Sequence, residues 1–573
     1  MQYKLIENSL NDTNNIVKTI LLNRGIENPQ EYLKLNDSCV QGYDDLDNMQ
    51  EAVQCFLKHY QERNKIIVLP DCDPDGYTSS AMLYLYIKAL DKDYPIDFIM
   101  HEKNKSHGLS DADFEIPSDA KLFIVADAAT NDIDECNKLI DDGMDIIILD
   151  HHDQEPSDKK SKAIIVNNQT SEQYKNKNLC GAGVVYRFCE ALDEELWENE
   201  APNLLSLCAL GLISDIMDLR SLESRYLVDV GLKNINNNMF QAFLDGQSYS
   251  TKGIVNIHNI SWYITPIINA LIRIGSLEDR TLMFRAFIDD YEEFDYKKRD
   301  GTIVKESIYE RVVRLCKNAK SRQDKARDKI FEQLLSKVDL DDKVCIVEVD
   351  DVDMAGIVGL SAMKLSDSIQ RPCIVVNRMK NDEGEEVLNG SCRNFNNSPV
   401  EDLKEVINST GQFIFCQGHA NAAGVSLYAD NLVEAKKSLN ECLKDIVYDP
   451  SYRCDFIIDI DDLSISFIQD IDALSWLWCT GIKEAVIAIE NVQVSRKDIH
   501  IQGKNFDSIT FTINNIKFVQ FKLKDGDPIY DFVNEWNGND DDVITLNIIG
   551  ECSINDYKNI LTPQITIQDC EIL

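Results

Sequence analysis

Acidic side chains follow a short apolar run near the start of the sequence. Asp71, Asp73 and Asp75 come directly after KIIVLP, in the segment DCDPDG. Alternate residues of an extended segment point the same way, so the three carboxylates can converge on one cation. A calcium loop of the EF-hand type is disfavoured because Met82, and not glutamate, stands at the twelfth position. The segment predicts a cation site, with a solvated loop as the alternative.

The same pattern recurs farther along the chain. The residues that end or follow the next apolar runs are Asp127 after LFIVA, Asp150, His151 and His152 at the end of DIIILDHH, and Asp215 after LLSLCALGLIS. One acid after a strand is ordinary turn chemistry, but four such elements together are difficult to explain that way. Ligands of open α/β sheets bind outside the carboxyl ends of the strands. These side chains are therefore predicted to form one site.

The predicted ligands are carboxylates and imidazoles, which suit Mn²⁺ or Mg²⁺ better than a metal that prefers thiolates. Six or seven ligands exceed what one ion needs when positions for water and substrate stay open. The set predicts two ions about 3.5–4 Å apart, the arrangement used for in-line phosphoryl displacement. The predicted chemistry is metal-dependent hydrolysis of a phosphate ester.

The elements that must position these residues are read from the hydrophobic pattern. Uniformly apolar β-branched runs alternate with helical stretches, which predicts a parallel sheet covered on both faces. A second alternating segment begins at KVCIVEVDD (343–351), and short strands with turn signals follow Cys454, which favours a small barrel of the OB type or a sandwich. The sequence predicts five segments. They are an N-terminal helical segment packing on the first lobe (1–64), a first α/β lobe (65–300), a connecting basic helix (301–340), a smaller α/β lobe (341–450) and an OB-like β-barrel (451–573).

The composition fits a large, folded, acidic chain. Its 573 residues are 44% hydrophobic and carry a formal net charge of −40, which predicts several domains and excludes disordered and fibrous classes. The charge disfavours a passive polyanion binder but allows a nucleic-acid enzyme with a locally basic channel. Between Arg311 and Lys329 lie eight basic and two acidic residues. This stretch predicts a helix beside such a channel, with an ordinary solvated helix as the alternative.

Cysteine usage and hydropathy indicate the compartment. The seventeen cysteines include no CxxC pair, which excludes zinc-ribbon and redox motifs, and an odd number fits a reducing cytosol. The N-terminus has no apolar signal core, and no apolar stretch is long enough to span a membrane. We expect a soluble, cytoplasmic protein without a membrane partner.

The motifs also carry a family resemblance. DCDPDG, IVAD, LDHHD and GLISDIMDL resemble, in order and spacing, the four motifs of the DHH phosphoesterase superfamily, and GHANAAG (418–424) resembles the signature of the DHH-associated domain. Most of residues 15–430 resembles the RecJ family of single-strand-specific 5′→3′ exonucleases. The resemblance implies an α/β multidomain protein, with a parallel-sheet DHH lobe and a smaller DHH-associated substrate-binding lobe joined by a long helix, plus a C-terminal OB-like β-barrel.

The resemblance further implies an activity and a cellular role. The expected reaction is two-metal hydrolysis of single-stranded DNA from the 5′ end with release of 5′-mononucleotides. The expected role is DNA repair and recombination, by a monomer that works with a single-strand-binding protein and a RecQ-type helicase.

Residue roles follow from the same resemblance. The implied metal ligands are Asp71, Asp73, Asp75, Asp127, His151, His152 and Asp215. It is left open which of Asp71, Asp73 and Asp75 supports the other ligands without binding a metal itself. His152 is also a candidate for contact with the scissile phosphate, and Asp150 is expected to orient a histidine.

Substrate contacts are implied for four residues. Arg273, Ser391 and Arg393 are expected at the 5′-phosphate, where the planar fork of arginine binds bidentately; surface salt bridges are the alternative for the arginines. His419, in GHANAAG, is expected to contact a substrate phosphate near the metals and so to take part in catalysis.

The sequence departs from the family pattern at three places. Gln417 replaces the first glycine of GGH. Glu102 stands where an arginine is expected before GYGL, and Lys103, Lys105 or His107 could supply a substitute phosphate contact. The segment WCTGIKEAV (478–486) replaces a GxGN-like turn before the barrel.

Two other functions stay open. A small-substrate DHH hydrolase would act on nanoRNA, 3′-phosphoadenosine 5′-phosphate or a cyclic dinucleotide. A non-catalytic replication scaffold is disfavoured because every motif acid and histidine is present. In the C-terminal region, Phe506, Phe511 and Phe518 are candidates for stacking on bases, with core packing as the alternative.

Overall fold

The computed structural model describes most of the chain. The described residues are 1–6, 11–104, 106–349, 357–381, 383–395, 398–503, 507–523, 526–535, 541–557 and 560–573. They form two compact units, of which the first comprises Met1–Ile272, Leu277–Val313 and Ser451–Leu573, and the second Arg273–Ser276 and Arg314–Pro450.

The elements of the described residues are given in chain order. The helices are α1 Ile16–Asn23, α2 Pro29–Tyr32, α3 Met49–Gln61, α4 Pro74–Leu90, α5 Ile133–Asp141, α6 Gly181–Leu196, α7 Leu205–Ser214, α8 Leu222–Lys233, α9 Asn238–Gly246, α10 Ser248–Thr251, α11 Ile257–Asn259, α12 Thr265–Ile274, α13 Leu277–Phe287, α14 Ile308–Ser336, α15 Val358–Ile369, α16 Leu403–Ser409, α17 Leu432–Cys442, α18 Ile465–Asp472 and α19 Pro528–Glu535. The strands are β1 Tyr3–Leu5, β2 Lys65–Leu69, β3 Ile96–Phe98, β4 Ala120–Ala126, β5 Asp145–Asp150, β6 Ile164–Asn167, β7 Glu293–Lys297, β8 Ile303–Ser307, β9 Cys345–Val349, β10 Cys373–Lys380, β11 Glu386–Arg393, β12 Phe415–His419, β13 Ala422–Tyr428, β14 Tyr452–Cys454, β15 Phe456–Asp459, β16 Val486–Ser495, β17 His500–Gln502, β18 Ser508–Ile513, β19 Ile516–Phe521, β20 Val543–Tyr557 and β21 Ile560–Ile572.

Five parallel strands in the order β3-β2-β4-β5-β6 form the main sheet of the first unit. On one face, Phe123 and Val125 of β4 pack with Cys136 of α5. The intervening Leu122 and Ile124 are equally buried, and α4 and α6 pack against the strands. The apolar runs therefore form a parallel sheet with helices on both faces, as the sequence predicts.

The N-terminal segment divides between two partners. α1 places Ile16 and Ile20 in the core of the C-terminal sheet, and β1 pairs with β14. α3 packs on the main sheet, against α6 and β6. α1 thus packs on the C-terminal sheet, whereas the sequence predicts that residues 1–64 pack on the first lobe. An apolar face shows that a helix is buried, but it does not show which partner covers it.

The C-terminal region forms a seven-stranded mixed sheet in the order β15-β16-β20-β21-β19-β18-β17. Among the described residues, no pairing joins the edge strands β15 and β17 into a closed barrel. Phe511 and Phe518 stack on each other with ring centroids 5.0 Å apart, and both are buried in the core. For these two residues the core-packing alternative is correct, whereas Phe506 lies outside the described residues.

The second unit is built on a five-stranded sheet in the order β12-β13-β11-β10-β9. Only β9 and β10 are parallel, and α15 packs on β10 and β11. The long helix α14 carries the whole basic stretch. Asp324 of α14 pairs with Lys320 and Arg327, whereas Arg322 and Lys325 are exposed.

Two further features concern the compartment. In the part of the chain that the structure describes, no helix has the length and apolarity that a membrane span requires. All seventeen cysteines fall within that part, and each is a free thiol.

Candidate metal centre

The predicted site residues lie at the carboxyl ends of adjacent parallel strands. They are Asp71, Asp73 and Asp75 after β2, Asp127 after β4, and Asp150, His151 and His152 at and after the end of β5. Because β2, β4 and β5 are neighbours in the sheet, these turns meet at one edge. Asp215 caps the C-terminus of α7, and its Oδ2 lies 3.4 Å from Nε2 of His151.

Three overlapping groups of ligand atoms connect these side chains. Within each group the atoms lie within 4.8 Å of one another, and the groups are Asp71–Asp73–Asp127, Asp127–His151–His152 and Asp75–His151–Asp215. Asp127 and His151 each belong to two groups, so all seven predicted ligands form one continuous cluster. The structure thus brings together every residue that the sequence assigns to the metals.

Helix N-termini hold two of the acids. Asp73 is the N-cap of α4 and accepts the N–H of Gly76 at 2.9 Å, a common use of aspartate at this position. Asp75 accepts the N–H groups of Gly181 and Ala182 at 2.6 and 3.1 Å, at the positive end of α6. Both carboxylate oxygens of Asp75 are therefore already engaged by the protein.

Glycines allow the backbone to approach the acids. A Cβ on Gly181 would lie 2.5 Å from Cβ of Asp127, and one on Gly76 would lie 2.6 Å from Cβ of Asp71. A Cβ on Gly211 would lie 2.6 Å from that of Ala182, beside Asp75. Sequence reasoning missed these three roles, since a glycine inside a helical run gives no sign of what lies opposite.

Asp127 lies at the centre of the cluster in a strained conformation. Its φ is +65°, in the left-handed region that few non-glycine residues adopt. Both of its oxygens and Oδ2 of Asp215 are buried without a hydrogen bond among the described residues, although Oδ1 of Asp127 lies 3.1 Å from Nε2 of His151. Buried carboxylate oxygens of this kind need a counter-charge.

The electrostatics of the cluster indicate a cation. Burial, reinforced by the neighbouring Asp75 carboxylate, raises the pKa of Asp127 well above its ordinary value. Burial and Asp75 do the same to the pKa of Asp215, and burial together with Asp73 raises the pKa of Asp75 to about 6. A divalent cation would relieve this repulsion, and the oxygen and imidazole donors fit Mn²⁺ or Mg²⁺.

Asp150 supports the two histidines. It is buried and accepts the backbone N–H groups of Thr130 and His151 at 3.0 and 2.7 Å, and its Oδ1 lies 2.8 Å from Nδ1 of His152. Burial opposes protonation of His152, but the Asp150 carboxylate outweighs burial and raises the pKa of His152 to about 10. The His151 side chain is 4% exposed and that of His152 is 44% exposed, so only His152 presents a wide surface to solvent.

The second unit contains the other predicted contacts. Ser391 and Arg393 lie two residues apart on β11 and therefore share one face of the strand. A Cβ on Gly359 would lie 2.8 Å from Nη2 of Arg393 and 3.6 Å from Oγ of Ser391. Burial lowers the pKa of Arg393, and the charge of Arg273 lowers it further. Ser391 and Arg393 thus share one face of β11, and the charge of Arg273, in the same unit, acts on Arg393.

His419 ends β12 at the tip of a hairpin. It is opposite Ala422 in the register of β12 and β13, and it is exposed. Gly418 has φ +130°, and a Cβ there would lie 2.9 Å from the carbonyl oxygen of Ala422. Gln417 pairs with Gly424 in the same register, so the hairpin forms although the first glycine of the motif is replaced.

Asp218 and Arg225 make structural contacts with the segment that replaces the expected turn. Arg225 is buried and donates to the carbonyl oxygens of Trp476 and Leu477. Asp218 pairs with Arg220 and leaves no room for a side chain at Gly481. Backbone carbonyl groups therefore hold the Arg225 guanidinium, and the Asp218 carboxylate forms an ion pair with Arg220.

His107 contacts an acid of the candidate site, and the sequence did not predict this contact. Its Nδ1 lies 2.6 Å from Oδ2 of Asp71, whereas the sequence suggested it only as a phosphate contact. The adjacent glycine in HGL was the available signal, because it marks a tight backbone approach. Of the two other candidates in this loop, Lys103 is exposed, and Lys105 lies outside the described residues.

The chain is similar to known nucleases along its whole length. Residues 65–212 match the model of the DHH family, N-terminal domain. A protein of Bacillus subtilis strain 168, named as an SPbeta prophage-derived single-strand DNA-specific exonuclease, YorK, is 35% identical over 581 residues, which cover 100% of this chain and 98% of that protein. RecJ of the same strain, named a single-stranded-DNA-specific exonuclease, is 25% identical over 97% of this chain and 68% of its own length.

Solved structures show the same fold. RecJ from Thermus thermophilus in complex with Mn²⁺ superposes with a TM-score of 0.71 and 17% identity, over 100% of this chain and 78% of that chain. The Mg²⁺ complex of that protein gives a TM-score of 0.67, also at 17% identity, over 100% of this chain and 77% of that chain. Together with the complete set of motif acids and histidines at one sheet edge, these similarities show that the chain belongs to the RecJ family of DHH phosphoesterases.

Proposed function

We propose that this protein is a metal-dependent exonuclease that hydrolyses single-stranded DNA from the 5′ end and releases 5′-mononucleotides. The observation that carries the proposal is the cluster of seven acids and histidines in a chain of the RecJ family. The names of the relatives supply the substrate class. An inactive scaffold would not need to keep several carboxylates buried with raised pKa values, which costs stability.

Each residue of the centre has a proposed task. Asp71, Asp73, Asp127, His151 and Asp215 hold two divalent ions, Mn²⁺ or Mg²⁺, with Asp75 as a ligand or as a support for one. Ions bound there would supply a water nucleophile and neutralise the phosphoryl oxygens. Asp150 holds the proton on Nδ1 of His152, so that His152 presents its other nitrogen to the metals or to the scissile phosphate.

The second unit supplies the proposed contacts with the strand. Arg273, Ser391 and Arg393 bind the 5′-phosphate, and the proximity of the two arginines supports this role because one anion can satisfy both. His419, on its exposed hairpin tip, contacts another substrate phosphate. Beyond these residues, the exposed basic side chains of α14 contact the DNA backbone; they are Arg322, Lys325 and Lys329.

The cellular setting is also proposed. The seventeen free thiols are compatible with a reducing cytoplasm. The family relationship supports a role in DNA repair and recombination by a monomer, together with a single-strand-binding protein and a RecQ-type helicase.

An end-labelling assay tests the proposed polarity. A 5′-phosphorylated single strand is incubated with the protein and Mn²⁺, with the label at the 5′ end in one sample and at the 3′ end in the other. We expect labelled mononucleotide from the 5′-labelled strand at the earliest times and a shrinking ladder from the 3′-labelled strand. The reverse pattern would contradict the polarity. Turnover of only a dinucleotide or of 3′-phosphoadenosine 5′-phosphate, tested in parallel, would move the function to small substrates.

A further inference from the structure

The loop that follows β3 reaches back to the metal centre at Asp71. Nδ1 of His107 lies 2.6 Å from Oδ2 of Asp71, and the N–H of Gly108 donates to Oδ1 of the same carboxylate at 3.0 Å. An ionised carboxylate can only accept hydrogen bonds, so His107 must donate its Nδ1–H. Both oxygens of Asp71 are therefore held from one side.

Charged side chains anchor this loop. Asp113 accepts the N–H groups of Glu102 and Lys103 at 2.8 and 2.9 Å, and Arg280, which is 1% exposed, donates to the carbonyl oxygen of Glu102 at 2.5 Å. Asp132 accepts the N–H of Leu109 at 2.6 Å. Hydrogen bonds on both sides of His107 thus fix the backbone that carries it.

The conformation at Gly108 completes the arrangement. Gly108 has φ +55°, and a Cβ there would collide with Oδ2 of Asp132. Glycine allows the N–H of residue 108 and the ring of residue 107 to meet the same carboxylate. The loop is therefore shaped to present two donors to Asp71.

We propose that His107 is a positioning residue of the metal centre, which orients Asp71 and thereby sets the affinity of the site for Mn²⁺ or Mg²⁺. Asp71 shares a group of close ligand atoms with Asp73 and Asp127. With both of its oxygens held from the loop side, the remaining lone pairs of Asp71 point toward that group. Partners that orient a ligand in this way change metal affinity by roughly 10–100-fold when they are removed.

The proposal deepens the metal-centre part of the proposed function and rests on it. The competing role for His107 is direct contact with a substrate phosphate, for which its half-exposed side chain is suited. The two roles differ in what they affect. A positioning residue changes metal binding in the absence of DNA, whereas a phosphate contact changes only the KM for DNA.

Three substitutions at one position separate these roles by geometry. In His107→Asn the side-chain amide nitrogen occupies the place of Nδ1 and keeps the donor to Asp71. In His107→Gln the nitrogen lies farther out, near the place of Nε2, and His107→Leu removes the donor. His500→Ala is the matched control, because His500 is an exposed histidine on β17.

Mn²⁺ binding to the full-length protein is measured without nucleic acid, from the electron paramagnetic resonance signal of the free aqueous ion. Physiological salt screens weak binding of Mn²⁺ to the acidic surface. We expect His107→Leu and His107→Gln to raise the Kd of the tighter site about tenfold, and His107→Asn and His500→Ala to stay within about threefold of the unsubstituted protein. Thermal unfolding with the chelator EDTA shows whether each variant is folded.

A kinetic measurement gives the second readout. With single-stranded DNA as substrate, the Mn²⁺ concentration for half-maximal rate should rise about tenfold in His107→Leu, while the KM for DNA at saturating Mn²⁺ stays within about twofold. An unchanged Mn²⁺ affinity in His107→Leu would overturn the proposal, and a raised KM for DNA would then assign the phosphate contact. If no variant cleaves DNA at all, the binding measurement still decides the role of His107, and only the proposed function fails.

Discussion

Asp127 is the residue in which stability and function conflict most clearly. It is buried, has a positive φ and leaves both carboxylate oxygens without a hydrogen bond among the described residues. Each feature costs free energy in the metal-free protein. Such costs concentrate where a fold keeps groups ready for a ligand, so Asp127 marks the centre of the site more specifically than the surrounding acids.

The raised pKa values predict how pH affects the metal-free protein. A carboxyl whose pKa is raised by folding binds its proton more tightly in the folded chain, so stability is lost as pH rises from about 4 through the folded pKa. Asp75, with a pKa of about 6, follows this rule. The stabilising contribution of His152, whose folded pKa is about 10, likewise declines as pH rises above the unfolded value of about 6.5. In EDTA we expect a lower Tm at pH 8 than at pH 6.

Asp127→Asn tests the source of this pH effect. Asparagine has nearly the same shape and tolerates the left-handed conformation, but it carries no charge. At pH 8 in EDTA we expect its Tm to exceed that of the unsubstituted protein by at least about 2 °C, as a gain of about 1 kcal/mol would give. The gain should shrink as pH falls, because the raised pKa of Asp127 lets its carboxyl bind a proton. A lower Tm at pH 8 would mean that Asp127 stabilises the fold by some other contact.

Arg393 gives a prediction about the end of the substrate. Arg393→Lys keeps a positive charge but loses the planar fork. We expect the preference for a 5′-phosphorylated strand over a 5′-hydroxyl strand, measured as the ratio of kcat/KM values, to fall at least about tenfold. Arg378→Lys is the control, since Arg378 lies on the exposed end of β10 and pairs with Glu348 and Glu386. An unchanged ratio in Arg393→Lys would remove this role.

At the residue scale the sequence showed which acids and histidines lie together better than it showed the residues that support them. The acids and histidines could be found because they stand directly after apolar runs, and parallel strands deliver such positions to one edge. His107 could not be placed in the same way, because its contact with Asp71 depends on the course of the loop between residues 101 and 113. That course depends on contacts with Asp132 and Arg280, which are distant in sequence from His107.

At the scale of elements, the site depends on close approach between helices and strand ends. The first residue of α6, Gly181, faces Asp127 at the end of β4, where an added Cβ would lie 2.5 Å from Cβ of Asp127. The helix dipole and the N–H groups at this end hold Asp75. A shift of α6 would therefore disturb two acids of the cluster together.

Gly181→Ala should disturb the metal centre without changing any ligand. The added methyl group must displace the backbone at Asp127, and displacements of this kind can lower a rate about 100-fold. We expect kcat on single-stranded DNA to fall by about this factor. Gly42→Ala is the control, because its added Cβ would lie 3.9 Å from the nearest atom, Oδ2 of Asp45. Full activity of Gly181→Ala would show that α6 can shift away from Asp127 without lowering kcat.

Element types could be predicted from the sequence more readily than element partners. The alternation of apolar runs predicted the parallel sheet, and the amphipathic pattern predicted α1 as a helix. Neither pattern shows that Ile16 and Ile20 pack under the C-terminal sheet, because apolar side chains are interchangeable as neighbours. The sequence also does not show whether the sheet closes, since the runs after Cys454 suit both a barrel and a sheet whose edge strands, among the described residues, do not pair.

At the scale of the whole molecule, the N-terminal segment is tied to the C-terminal region by a buried ion pair. Arg24 donates to both oxygens of Asp455 at 2.7 and 2.9 Å, and the two side chains are only 9% and 1% exposed. Removing one partner of such a pair leaves a buried charge without compensation and costs about 3–5 kcal/mol. The pair therefore joins segments that are more than 400 residues apart.

Arg24→Met should lower the Tm of the protein clearly, because it leaves Asp455 buried and charged. The double variant Arg24→Met with Asp455→Asn removes both charges and should recover at least half of the loss. Lys437→Met is the control, because its pair with Glu434 is exposed and contributes little. A double variant no more stable than Arg24→Met would show that Arg24 acts through packing and not through its charge.

The central claim is that the cluster around Asp127 hydrolyses single-stranded DNA. The most direct test is the initial rate of mononucleotide release from a 5′-labelled single strand and from its matched duplex in saturating Mn²⁺, for the unsubstituted protein and for Asp127→Asn. The account predicts rapid release from the single strand, an intact duplex, and a loss of at least about 1,000-fold in Asp127→Asn, which remains folded. Undiminished release by Asp127→Asn would contradict the assignment of the site, and equal release from the duplex would contradict the proposed substrate.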